Sequence, residues 1–135
     1  MKELNFANTK IVLTDTFRDI RLCGAIFSKH VPPEKKDAVE AVVNRAVIFK
    51  LIPKWNITNH KTITRFGFLV FEFSFEKPIV HFVYTHEKYR GQGVAKALIE
   101  YALIFPSFYY TFPTDKKIRG GTYQPQLLTK PWSNI

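Results

Sequence analysis

Three positions in the chain carry residues whose types and spacing could do chemistry. The first is a basic turn, Arg90-Gly91-Gln92-Gly93-Val94-Ala95, set between an apolar run that ends at Thr85 and a helical pattern that starts near Gln92. A strand passing through such a turn into a helix leaves backbone N–H groups unpaired at the positive end of the helix dipole, which predicts a cradle for an anionic group such as phosphate. The second is Glu72, the one carboxylate on an otherwise apolar strand face. Burial there predicts a raised pKa and a general base acting directly or through water, with pairing to a nearby Lys or Arg as the structural alternative. The third is His81 on the neighbouring strand, able to take the same role or simply to pack; His86, in the turn, reads as solvated.

Spacing separates the glycine-containing phosphate motifs that compete for the turn. A P-loop closes on Gly-Lys-Ser/Thr, whereas Gly93 is followed by Val94-Ala95. A dinucleotide fingerprint needs a third glycine where Lys96 stands, and a parallel βαβ unit upstream. What remains is Arg/Gln-x-x-Gly-x-Gly/Ala after a strand and opening a helix, which Arg90 to Ala95 match at every fixed position.

On those residues, the stretch 64–112 resembles the GCN5-related N-acetyltransferase (GNAT) family. The resemblance implies an α/β fold, a GNAT-like single domain over 1–135 with a mixed, mostly antiparallel central sheet flanked by helices. It implies acetyl-CoA, or another acyl-CoA, with the pyrophosphate held by Arg90, Gly91, Gln92, Gly93, Val94 and Ala95. The pantetheine arm would run along the backbone of Val83, Tyr84 and Thr85, and the strand at 107–112 would splay away to admit the thioester. The implied activity is acyl transfer to an amine by direct attack, which requires neither a metal nor a covalent nucleophile. Glu72 and His81 are then the candidate bases. Tyr123 is the candidate proton donor for the leaving thiolate, with Tyr109 and Tyr110 read as packing residues. One departure stands out: residues 113–135 hold no helical pattern where the family continues with a helix and further strands. The short chain and its terse Tyr-x-Pro tail are also similar to small acetyltransferase-like proteins of bacteriophages.

The elements that must position these residues follow from periodicity. Residues 10–13 and 20–27 read as one or two strands, and Pro32-Pro33 opens a helix over 34–49 along the stripe Val39, Val42, Val43, Ala46 and Val47. Residues 50–62 read as a loop. The run 64–75 predicts a central strand with Gly67, Leu69, Phe71, Phe73 and Phe75 on one face and Phe66, Phe68, Val70, Glu72 and Ser74 on the other. A turn at 76–78 leads into the strand 79–85, making an antiparallel hairpin, and a helix over 92–105 is stopped by Pro106. The strand 107–112 and an extended segment at 123–128 complete the pattern.

Composition limits the partners. A chain of 135 residues with 46% hydrophobic and 23% charged residues reads as one folded domain. A formal charge of +9 favours acidic partners: phosphate-bearing cofactors, an acidic protein acceptor or nucleic acid. Basic residues interleaved with aromatics over 108–123 motivate a second reading, a non-catalytic module that contacts nucleic acid or a host protein. The single cysteine, Cys23, excludes an intrachain disulfide and a cysteine-rich zinc site and reads as a small buried hydrophobe. With no signal-peptide pattern and no run long enough to span a bilayer, the expectation is a cytoplasmic protein. The sequence is silent on oligomeric state.

Overall fold

The computed structural model describes residues 4–13, 29, 33–54, 66–74, 77–102, 107–112 and 120–128. The expected strand at 20–27 with Cys23, the polar tract 55–62, the basic residues Lys116, Lys117 and Arg119, and the tail after 128 lie outside them. Among the described residues, six strands form one mixed sheet in sequential order: β1 (Thr9–Leu13), β2 (Val47–Pro53), β3 (Gly67–Phe73), β4 (Pro78–Thr85), β5 (Phe108–Tyr110) and β6 (Gly121–Tyr123). The first four pair antiparallel, while β5 runs parallel to both β4 and β6. Helix α1 (Lys36–Arg45) covers one face and α2 (Val94–Ala102) the other. No helix among the described residues is long and apolar enough to cross a membrane.

The two faces of β3 explain the layering. Phe68 and Val70 join Val39, Val42, Val43 and Ile48 in the core under α1, and Leu69 and Phe71 join Val94, Leu98 and Ala102 under α2. That is the alternation expected of a strand covered on both sides. Phe66 departs from the expected partition. It packs in the α2 core, its ring edge-on to Tyr89 at 4.7 Å, because it precedes the strand and is free of the pleat.

Two boundaries differ from the sequence reading. The first helix ends at Arg45 rather than at 49, and Val47 to Pro53, expected as helix tail and loop, form β2. The run Val47-Ile48-Phe49 is β-branched and aromatic, so it gains more by filling the slot between β1 and β3 than by adding a helical turn. The second helix spans nine residues, from Val94, not Gln92, to Ala102, since Gly91 and Gly93 sit at φ +79° and +88°, outside helical space.

Gly67, the first residue of β3, is a packing requirement. A Cβ there would lie 2.4 Å from the Tyr84 carbonyl oxygen and 2.7 Å from Val94 Cγ1. Its absence lets the first turn of α2 settle onto the β3–β4 pair.

Candidate active site

The site begins with an irregularity in β4. Val70 pairs with Phe82 but Phe71 pairs with Val80, so His81 is an extra residue, a β-bulge. The bulge changes the facing of the strand: Val80 packs under α2 while Phe82 packs under α1. It also directs the His81 ring to Glu72, which lies on the α1 face two residues beyond Val70.

A chain of polar contacts results. Arg45, in the last turn of α1, grips Glu72 with both arms of its guanidinium, Nε to Oε2 at 3.0 Å and Nη2 to Oε1 at 3.1 Å. His81 Nε2 lies 2.7 Å from Glu72 Oε1, and His81 Nδ1 lies 3.0 Å from Thr111 Oγ1. His81 is fully buried, and Glu72 and Thr111 are nearly so.

This setting reverses one expectation. Burial alone would raise the Glu72 pKa, but hydrogen bonds from His81 and Arg45, with their charges, outweigh it and hold the carboxyl below its ordinary range. Burial also pushes His81 below its ordinary value, although the Glu72 hydrogen bond and charge work the other way. Glu72 is therefore ionised and His81 neutral near pH 7. An ionised carboxylate only accepts, so His81 Nε2 carries the ring proton and Nδ1 accepts from the Thr111 hydroxyl. The pairing with an arginine, weighed from the sequence as an alternative, is present together with the histidine contact.

At the bulge the sheet forks. Strand β5 pairs with β4 at Ile79 and Val80, and Thr111 N–H donates to Val80 O at 3.1 Å. The β5 register covers Ile79 and Val80, and β4 continues beyond it to Thr85. His86 N–H donates to Phe66 O at 2.8 Å across the β3 side, so strand alternation turns the backbone polar groups of Val83 and Thr85 away from β3. The backbone of Tyr84 faces β3, and its ring packs on Phe68 at 5.3 Å. Of Val83, Tyr84 and Thr85, the backbone groups of Tyr84 face β3 and those of Val83 and Thr85 face away from it, with Thr85 O accepting from Arg90 Nε.

Strand β4 leads directly into the turn. His86 caps a 3-10 turn (Glu87–Tyr89) by accepting from Lys88 N–H, and Arg90 Nε reaches back to Thr85 O at 3.1 Å. Gly91 and Gly93 hold the positive φ values that bring the chain to α2, where Ala97 N–H makes a helical bond to Gly93 O at 2.9 Å. The N–H groups of Val94, Ala95 and Lys96 lie in the first turn, which has no carbonyl of its own helix to bond. Gln92 Oε1 accepts from Leu4 N–H at 2.6 Å.

Residues 53–105 match the family model described as the acetyltransferase (GNAT) family. The matched stretch takes in β3, the bulged β4, the Arg90–Ala95 turn and α2. Among solved structures, the chain is similar to a ribosomal-protein-alanine N-acetyltransferase from Brucella melitensis biovar Abortus 2308, with 21% identity, 69% of this chain and 67% of that chain covered, and a TM-score of 0.44. It is also similar to a GNAT-family structure from Desulfovibrio desulfuricans, with 10% identity, 69% and 62% coverage and a TM-score of 0.46. No curated protein sequence matches.

The remaining candidates fall outside the polar chain. Tyr123 lies on β6, about half exposed, its ring 5.4 Å from Tyr110, and no hydrogen bond among the described residues ties it to Glu72 or His81. Arg45 and Thr111 were not singled out from the sequence. Arg45 falls three residues after Val42 on the apolar stripe of α1, a place where a charged residue calls for a buried partner. Thr111 is surrounded by aromatics, and nothing in its neighbours marks it.

Proposed function

We propose that this chain is a GNAT-type acyltransferase that binds acetyl-CoA, or another acyl-CoA, at the Arg90–Ala95 cradle and transfers the acyl group to an amine by direct attack. The observation that carries this reading is the junction of cradle and fork: β4 runs on past its register with β5 straight into a strand-to-helix turn held open by Gly91 and Gly93.

The residues suit a diphosphate. A Cβ added at Gly91 would meet nothing within 4 Å, so ligand oxygens can approach the backbone there, and the first-turn N–H groups of α2 supply donors with a favourable dipole. Arg90 adds a cation on the exposed rim. Val83 and Thr85 offer backbone groups along the fork to a pantetheine amide. When bound, such a donor supplies an activated acyl carbon, to which the amine nitrogen bonds as the carbon–sulfur bond breaks.

The chain's own residues then have two tasks, to take a proton from the amine and to give one to the departing sulfur. We assign the first to the His81–Glu72 pair and the second to the Tyr123 phenol, whose exposure lets it recover a proton from solvent. The acceptor is an amine-bearing small molecule or protein, and the formal charge of +9 favours one with acidic surroundings.

Calorimetric titration with acetyl-CoA tests the reading. Wild type is expected to bind, and Gly93→Glu to lose binding, because it puts a carboxylate on a positive-φ residue at the anion site. Absence of binding by wild type overturns the reading. A salt-sensitive shift of DNA or RNA without acyl-CoA affinity would favour the binding-module alternative.

A further inference from the structure

Among the described residues the buried polar or charged side chains are Lys50, Glu72, His81 and Thr111, and three of these belong to the single chain Arg45–Glu72–His81–Thr111. Removing such a chain from water costs desolvation that apolar residues of the same volume avoid, so stability is not a sufficient reason for it. Its position is informative. One end is Arg45, part-exposed at the end of α1, and the other is Thr111, the residue at which β5 parts from β4. The link between them, His81, is the bulge residue that marks the fork.

The direction of the hydrogen bonds is set by the charges. Arg45 donates both bonds to an ionised Glu72, His81 donates from Nε2, and Thr111 donates its only proton to His81 Nδ1. A hydroxyl oxygen also accepts, and no described residue donates to Thr111 Oγ1. A nearly buried oxygen at the fork is left with unused acceptor capacity while its proton already points along a chain that ends in a carboxylate.

We propose that Thr111 Oγ1 receives the acceptor amine, accepting a hydrogen bond from its N–H and relaying its proton to His81 Nδ1. The inference rests on the acyl-transfer reading and names the contact through which the buried pair works. As the amine nitrogen bonds to the acyl carbon, one amine proton moves to Oγ1 while the hydroxyl proton moves to Nδ1. The resulting imidazolium sits against the Glu72 carboxylate. The leaving sulfur takes its proton from Tyr123, which recovers one from solvent, and once the product has left the His81 proton returns through Thr111 Oγ1 to solvent, so the count closes. Thr111 is the catalytic residue in this relay. Glu72 and Arg45 are positioning residues, and they are the charged groups that face His81 among the described residues.

Two measurements on Thr111→Val and Thr111→Ser test the relay, with Thr111→Ala replacing the valine variant should it not fold. In ligand-free protein, NMR titration of the His81 ring is expected to move upward in Thr111→Val, because the neutral ring loses its donor, and to return toward wild type in Thr111→Ser. In thiol-release assays with an amine acceptor, Thr111→Val is expected to lower kcat by about a hundredfold, at the low end for general acid–base catalysis. Its pH profile should lose the His81 limb, its acetyl-CoA affinity should not change, and Thr111→Ser should recover most of the rate. An unmoved His81 titration, or a Thr111→Val enzyme with wild-type kcat and pH profile, overturns the relay while leaving acyl transfer in place. A wild type that binds no acyl-CoA overturns both.

Discussion

His81 Nε2 and Glu72 Oε1 stand 2.7 Å apart in the interior of the sheet, joined across the bulge in β4. The contact exists because β4 carries one residue more than β3 requires. Without the bulge His81 would take its turn in the alternation, and Val80 and Phe82 would face the same core.

Removing the carboxylate charge should cost stability as well as activity. Glu72→Gln leaves the Arg45 guanidinium in a partly buried position without its counter-charge, and loss of one partner from a buried pair costs about 3 kcal/mol. Urea denaturation is expected to show a lower midpoint at an unchanged slope, and thiol release should fall together with it.

Stability should decrease on acidification in two stages. The His81 pKa is lowered in the folded protein, so below its ordinary value of 6.5 the unfolded chain takes up a proton that the folded one resists. Stability therefore falls as pH drops from about 6.5 toward the folded His81 value. Glu72 is also lowered, so its contribution is present above 4.5 and is lost as pH falls from there through the folded value. Thermal melts from pH 8 to about pH 2 should show both stages, and His81→Asn should remove the upper one.

Gly67→Ala should injure the proposed acyl-CoA site from a distance. The new Cβ would meet the Tyr84 carbonyl, a backbone atom that cannot rotate away, and the Val94 side chain. We expect a loss of about 1 to 3 kcal/mol in denaturation, as for other overpacked positions, and weaker acetyl-CoA binding by calorimetry because the first turn of α2 lifts from the sheet.

Tyr123→Phe separates proton delivery from binding. Loss of the phenol is expected to lower kcat by about tenfold or more while acetyl-CoA affinity stays the same. The ring still stacks beside Tyr110, so thermal stability should change little.

The strand–turn–helix at Arg90–Ala95 was legible in the sequence because it depends on local facts: two glycines at fixed spacing, a strand before them and an apolar helical period after. The central hairpin and the two-sided burial of β3 were legible for the same reason. Strand β2 was not, since Val47 fits both the helical stripe of α1 and a strand, and only the slot between β1 and β3 decides. The Glu72 environment was half legible. An acid on an apolar face demands a partner, but Arg45 is 27 residues away along the chain and the His81 contact depends on a bulge that no periodicity announces. Thr111, 30 residues from His81, gave no signal at all.

Strand β3 also acts as a ruler. At its start Gly67 seats the turn that would hold the anion, and five residues later Glu72 anchors the proton chain, a separation of roughly 17 Å at the rise of an extended strand. Glu72 sits on the strand itself and Gly67 seats the Arg90–Ala95 turn against it, so β3 sets the span between the two, and one residue gained or lost within it would shift that span by ~3.4 Å and turn Glu72 to the wrong face.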